Sequence, residues 1–248
     1  MTSSITTAKQ QLRAVVKQRL STIPQESILT QSRRVFEVLR DFKPYREASR
    51  ISVFLSMPSG EIQTDAIVRH ALSEGKQVFV PFLHRNPQPT PGTPARVMDM
   101  VRLRSVEDYD SLQRDAWGIP SIDAGGVRER ERVLGQDLGQ ESGAGPEPLD
   151  LVLVPGVAFD VDGLGAVRRL GHGKGFYDFF LNRYLAATGH GARPLLYGLA
   201  LREQLLDGAV GEEVPMGMYD RKVHGVVLGD GGVRESADPG AISAWHPS

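Results

Sequence analysis

Cysteine is missing from all 248 residues. That excludes disulfide staples, thiolate nucleophiles and thiolate zinc sites, and it suits a reducing compartment. A dominant charge of one sign is missing too. With 29 Lys and Arg against 30 Asp and Glu, the net charge is -1, so no overall field points to nucleic acid or to an anionic membrane, although a local basic cluster stays open. No apolar run approaches the roughly 18 residues that cross a bilayer. The opening segment, Met1 to Ala8, lacks an apolar signal core and the arginines of a transit peptide, so the expected location is the cytoplasm. There is no internal repeat, and His70, His84, His190 and His224 show no metal-ligand spacing.

What is present is a hydrophobic content of 40%, enough to bury the core of one α/β domain. A first helix is expected from a cap at Thr6 or Thr7 to Leu20, with Leu12, Val15, Val16 and Leu20 as its apolar face. Lys9 and Arg13, one helical turn apart, lie one above the other on it; spacing alone favours a solvated basic face over a binding role by about two to one. A second helix is expected over 25–39. Strands are expected at 50–55, 77–81, 149–154, 195–201 and 223–228, with helices at 64–74 and 176–187. The β-α-β order favours parallel pairing, and 149–154 reads as the central strand. The proline-rich stretch 84–96 and the glycine-, glutamate- and arginine-rich stretch 124–148 read as surface inserts; 229–248 reads as a loose tail. Residues 1–228 would then form one domain.

The most informative segment is 151–160 (LVLVPGVAFD) followed by 168–178 (RRLGHGKGFYD). A strand ends, and a glycine-dense turn then opens a helix. Gly171, Gly173 and Gly175 let backbone amides approach an anion, and the helix behind them aims its positive end at the same point. Lys174 and Arg168 or Arg169 can add full charges. The segment is not a Walker A loop, because Gly175 stands where Ser or Thr would follow the lysine. Nor is it the dinucleotide fingerprint, since the third glycine comes one residue early. Spacing alone fits a surface turn as well as a phosphate site. Asp178 favours the second, because an acid in the first turn after a phosphate loop can hold magnesium between phosphate oxygens.

These two blocks, 154–160 (VPGVAFD) and 170–178 (LGHGKGFYD), resemble the signature of the 5-formyltetrahydrofolate cyclo-ligase family. Further segments match in order: Lys9 and Arg13 in the first helix, 54–61 (FLSMPSGE), 98–102 (MDMVR), 117–120 (WGIP), 197–203 and 214–223 with Asp220 inside. The family has arginine where this chain has His172, and often tyrosine in place of Phe176.

The resemblance implies a three-layer α/β/α fold with a mostly parallel sheet, similar to that of ribose-5-phosphate isomerase and CoA transferases. It implies a monomeric enzyme that converts 5-formyltetrahydrofolate, with or without a polyglutamate tail, and ATP into 5,10-methenyltetrahydrofolate, ADP and phosphate with Mg2+. Lys9 and Arg13 would reach the ATP phosphates together with the loop Arg169, Leu170, Gly171, His172, Gly173, Lys174, Gly175, Phe176 and Tyr177. Met57, Glu61 and Trp117 would hold the folate, with Glu61 on the donor edge of the pterin, and His172 to Phe176 would touch it as well. Lys174, His172 and Tyr177 would stand at the reacting groups, and Asp178 and Asp220 would serve magnesium. Asp160 would support the loop. The alternative is a non-catalytic folate- or nucleotide-binding relative.

Overall fold

The computed structural model describes residues 2–87, 89–90, 93–134, 147–188, 193–208 and 212–237. The expectations that fall on Pro91, residues 135–146, His190 and residues 238–248 lie outside them. The chain opens with three helices, α1 (Thr2–Ser21), α2 (Gln25–Asp41) and α3 (Lys43–Glu47). There follow β1 (Arg50–Val53), α4 (Asp65–Ser73), β2 (Gln77–Arg85), β3 (Arg96–Leu103), α5 (Val106–Asp110), β4 (Gln113–Arg114) and β5 (Pro120–Ser121). The second half holds β6 (Leu151–Val154), β7 (Ala158–Val161), β8 (Val167–Leu170), α6 (Phe176–Thr188), β9 (Leu195–Ala200), β10 (Gly225–Leu228) and β11 (Val233–Glu235).

Seven strands form the main sheet in the order β11-β10-β9-β6-β1-β2-β3. The inner pairs β2·β1, β1·β6, β6·β9 and β9·β10 are parallel, and the outer pairs β2·β3 and β10·β11 are antiparallel. Strand β6, the 149–154 run, is the middle strand, as its unbroken apolar sequence implies for a strand covered on both faces. Alternate side chains sort cleanly. Ile51, Val53, Leu151, Leu153 and Leu199 pack with Val16, Ile28, Val35, Leu39, Ile67 and Val68 of α1, α2 and α4. Val152, Val154, Leu196 and Ala200 pack on the other face with Phe180, Leu181 and Tyr184 of α6. The result is three layers, helices on both faces of a mostly parallel sheet.

Four details differ from the sequence reading. Helix α1 begins at Thr2, so Thr6 and Thr7 lie within it, and Val15 on its expected apolar face is 49% exposed. Strand β3 is an addition. Its alternation is interrupted by Asp99, which is fully buried yet held by Arg132 Nε (2.9 Å) and by the N–H groups of Leu134 (3.0 Å) and Met100 (2.7 Å). Residues 124–134 are not a loose insert: Val127 and Val133 are buried, Arg130 pairs with Asp108, and Val133 N–H donates to Met100 O (2.9 Å). The expected tail continues the sheet as β11, and Ser236 is buried with its hydroxyl accepting from Val167 N–H (2.8 Å). Sparse apolar content concealed both segments, because polar side chains and main-chain bonds fasten them. Among the described residues no helix is long and apolar enough to cross a membrane.

Candidate active site

The centre of the site is the segment leaving the middle strand. After β6, Pro155 and Gly156 turn the chain into the antiparallel hairpin β7–β8. Gly156 admits no side chain, since a Cβ there would stand 2.6 Å from the Phe159 ring. Strand β8 delivers Arg169 and Leu170, the loop Gly171–Gly175 follows, and α6 starts at Phe176. Gly173 and Gly175 have φ of +102° and +67°, the left-handed region where other residues are strained.

Helix α1 lies across this loop. Arg13 Nε donates to Gly171 O at 2.7 Å, and its guanidinium borders Gly173 so closely that an added Cβ would be 3.4 Å from Cζ. One turn earlier, Lys9 Nζ bonds to Asp220, whose carboxylate also accepts from Gly217 N–H. One turn later Lys17 is near enough to His172 to depress its pKa. Lys9, Arg13 and Lys17 thus form a cationic row along one side of α1. At the far end Arg19 fastens the helix through Glu212 (2.9 Å).

The pterin-binding candidate Glu61 comes from the loop after β1. It is 5% exposed, and Met57 N–H donates to its Oε1 at 2.6 Å. Burial, opposed by that hydrogen bond, pushes its pKa up to about 7. His172 Nε2 lies 4.0 Å from Glu61 Oε2, which joins the glycine loop to the loop that carries Glu61. The contact is not an ion pair. Desolvation first, then Lys17, Arg169 and Arg13, lower the His172 pKa to about 4, so the imidazole is neutral near pH 7 although 38% of its side chain stays exposed. Tyr177 lies near both Arg169 and Glu61. Its ring packs near Arg169 (5.7 Å), and its enclosed hydroxyl has no hydrogen-bond partner among the described residues. Burial, followed by the neighbouring Glu61 charge and opposed by Arg169, raises its pKa.

Several expected site residues have other occupations. Asp178 accepts both Arg169 Nη2 contacts (3.0 and 2.9 Å) and Arg221 N–H (3.2 Å). Because Arg221 follows Asp220, the two acids expected at magnesium stand on adjoining segments, each already neutralised by its own cation. Among the described residues no group of three or more His, Cys, Asp or Glu is placed to hold a metal ion. Leu170 is 1% exposed, and its carbonyl accepts from Val157 N–H (2.7 Å), so its side chain belongs to the core. Arg168 turns to Asp160 (2.7 Å), and Asp160 also accepts from Val214 N–H (2.7 Å). That pair braces the hairpin and leaves Arg169 as the loop's arginine. Lys174 and Gly175 are exposed, Phe176 and Met57 half-buried. Trp117 is 75% exposed on a turn whose Gly118 presses on Pro58, beside the Glu61 loop.

Sequence reasoning missed Lys17 and Arg221. Lys17 could have been found by extending the spacing of Lys9 and Arg13 one more turn. Arg221 carried no such signal, because its neighbours Asp178 and Asn182 (Nε to Oδ1, 2.8 Å) are distant in sequence.

The family model described as the 5-formyltetrahydrofolate cyclo-ligase family matches residues 5–229. A Caenorhabditis elegans protein named probable 5-formyltetrahydrofolate cyclo-ligase is 40% identical over 204 residues, 82% of this chain and 86% of its own. The Mus musculus 5-formyltetrahydrofolate cyclo-ligase is 33% identical over 227 residues, 92% of this chain and 96% of its own. The solved structure of Aquifex aeolicus 5,10-methenyltetrahydrofolate synthetase shares the fold, with a TM-score of 0.62 at 24% identity over 93% of each chain.

Proposed function

This chain belongs to the 5-formyltetrahydrofolate cyclo-ligase family, and on that premise we propose that it closes 5-formyltetrahydrofolate to 5,10-methenyltetrahydrofolate while converting ATP to ADP and phosphate. One observation carries the reading. A cationic row on α1 meets a glycine loop on one side, and the same loop reaches a buried carboxylate through His172 on the other. A polyanion and a ring with a hydrogen-bond donor edge can therefore bind at opposite ends of one loop.

The formyl oxygen of the substrate is a poor leaving group. It attacks the γ-phosphorus, ADP departs, and an imidate-like phosphate results. N10 then bonds to the formyl carbon, the carbon–oxygen bond breaks, and phosphate leaves as N10 loses its proton. No enzyme nucleophile is needed, in keeping with a chain without cysteine. What remains for the protein is to position two substrates and to stabilise phosphoryl charge. Lys9, Arg13 and Arg169 supply fixed charge for the phosphates, with Lys174 on the exposed loop. Neutral His172 stands between phosphate and folate, where it can hold either end of a hydrogen bond. Glu61 accepts from the pterin nitrogens, Tyr177 O–H is a donor awaiting an acceptor, and Met57 and Trp117 supply apolar surface.

Magnesium fits this donor set, since it commonly takes one or two carboxylates and fills its shell with phosphate oxygens and water. Asp178 and Asp220 would hold it, and it would neutralise charge on the transferred phosphoryl group. The test is turnover of 5-formyltetrahydrofolate followed by methenyl absorbance, with ATP and magnesium present, with ATP omitted, and with excess chelator. Product forms only in the first mixture; equal conversion without ATP overturns the reading.

A further inference from the structure

Tight turns are usually tipped by glycine, asparagine, aspartate or serine. The turn Gly217–Asp220, closed by Asp220 N–H to Gly217 O at 3.2 Å, is tipped by Met218 and Tyr219, which are 74% and 69% exposed. Neither turn chemistry nor core packing accounts for two large apolar side chains side by side there. Their place is fixed. Lys9 and Gly217 N–H clamp Asp220, and a Cβ on Gly217 would stand 3.8 Å from Lys9 Nζ and 4.0 Å from Ile5 Cγ2. The tip therefore stands at the end of the cationic row formed by Lys9, Arg13 and Lys17.

A ligand that uses both features is a polyanion carrying a flat, weakly polar ring. We propose that Met218 and Tyr219 are the platform for the purine base of a nucleoside triphosphate whose phosphates run along Lys9 and Arg13 to the Gly171–Gly175 loop. This rests on the nucleotide use proposed above and adds the place of the base. Stacking on an aromatic face tolerates every base, and a thioether adapts to irregular contacts. The platform therefore discriminates weakly between adenine and guanine.

The test is calorimetric titration of the full chain and of Tyr219→Ala and Tyr219→Phe, each with MgATP and with inorganic tripolyphosphate. Loss of one base stack should weaken MgATP binding about five- to 150-fold in Tyr219→Ala. Tripolyphosphate affinity should move less than about twofold, and Tyr219→Phe should bind MgATP about as the natural chain does. Equal weakening of both ligands would show that the turn merely supports Asp220, and overturns the platform. So does unchanged MgATP affinity in Tyr219→Ala, including the case where that variant instead loses a concentration-dependent dimer. If the natural chain binds neither ligand, nucleotide use itself fails, and the platform with it.

Discussion

Glu61→Gln tests the buried carboxylate at the proposed folate end of the site by stability as well as by binding. Burial holds its pKa at about 7 instead of 4.5, its ordinary value. An acid whose pKa is raised on folding keeps its proton more tightly in the folded state. Between pH 4.5 and about 7 the unfolded chain therefore binds fewer protons, and stability falls as pH rises. The rise from 4.5 to about 7, at about 1.36 kcal/mol per pH unit, amounts to about 3 kcal/mol. Glutamine does not titrate. Its oxygen can still accept from Met57 N–H, and at pH 4 it resembles the protonated acid in shape and charge. Urea denaturation of both proteins between pH 4 and 8.5 isolates the effect, because other titrations cancel in the difference. The variant should gain up to about 3 kcal/mol on the natural chain between the ends of that range, less whatever its new amide N–H groups lose by burial. Folate affinity should drop by about 1.5–3 kcal/mol, the worth of a charge-assisted bond. Parallel stability curves, or an unchanged folate affinity, would refute the reasoning.

His172→Gln should leave the shape of the kcat/KM pH profile unchanged between about pH 5.5 and 8.5, because the free imidazole is already neutral there; an inflection present only in the natural chain refutes this. His172→Arg, which puts a permanent cation on the residue whose Nε2 now lies 4.0 Å from the carboxylate, should move the Glu61 inflection to lower pH. Asp160→Ala should lower unfolding stability by about 3 kcal/mol, because it leaves Arg168 with only the exposed Glu213 at 3.6 Å, with nucleotide and folate affinities of the folded protein retained; a selective loss of one affinity would make Asp160 a binding residue. Deleting 128–146 should destabilise the fold by more than that, because it removes Val133 and leaves both Asp99 and Asp108 without Arg132 and Arg130; unchanged denaturation midpoints refute that.

The parts of this fold legible in sequence were those decided by burial. β1, β6, β9 and β10 are short apolar runs because both of their faces are covered, and α2 repeats its buried residues Ile28, Val35 and Leu39 on one side. The parts that were not legible are held by polar bonds between distant residues. β3 depends on Asp99 being answered by Arg132, and β11 on Ser236 answering Val167. A composition scan sees charge and serine there and reads surface, because it cannot see a partner thirty or seventy residues away.

The site divides on the same line. The glycine loop and the α1 cations are local patterns, so they were visible; their meeting through Arg13 and Gly171 was not. Asp178 shows why. In sequence it is an acid in the first helical turn after a phosphate loop, hence a candidate for magnesium. In the fold it is the anion that holds Arg169, just as Asp220 holds Lys9. With no phosphate present, cations gathered for a polyanion repel one another, and carboxylates placed among them restore balance. A polyphosphate entering this row would compete with Asp178 and Asp220 for those cations, and both carboxylates would be released toward a metal ion arriving with it. On the proposed nucleotide use, the acids balance the cations before a phosphate binds and serve magnesium afterwards, and the same exchange would make nucleotide and metal binding mutually dependent.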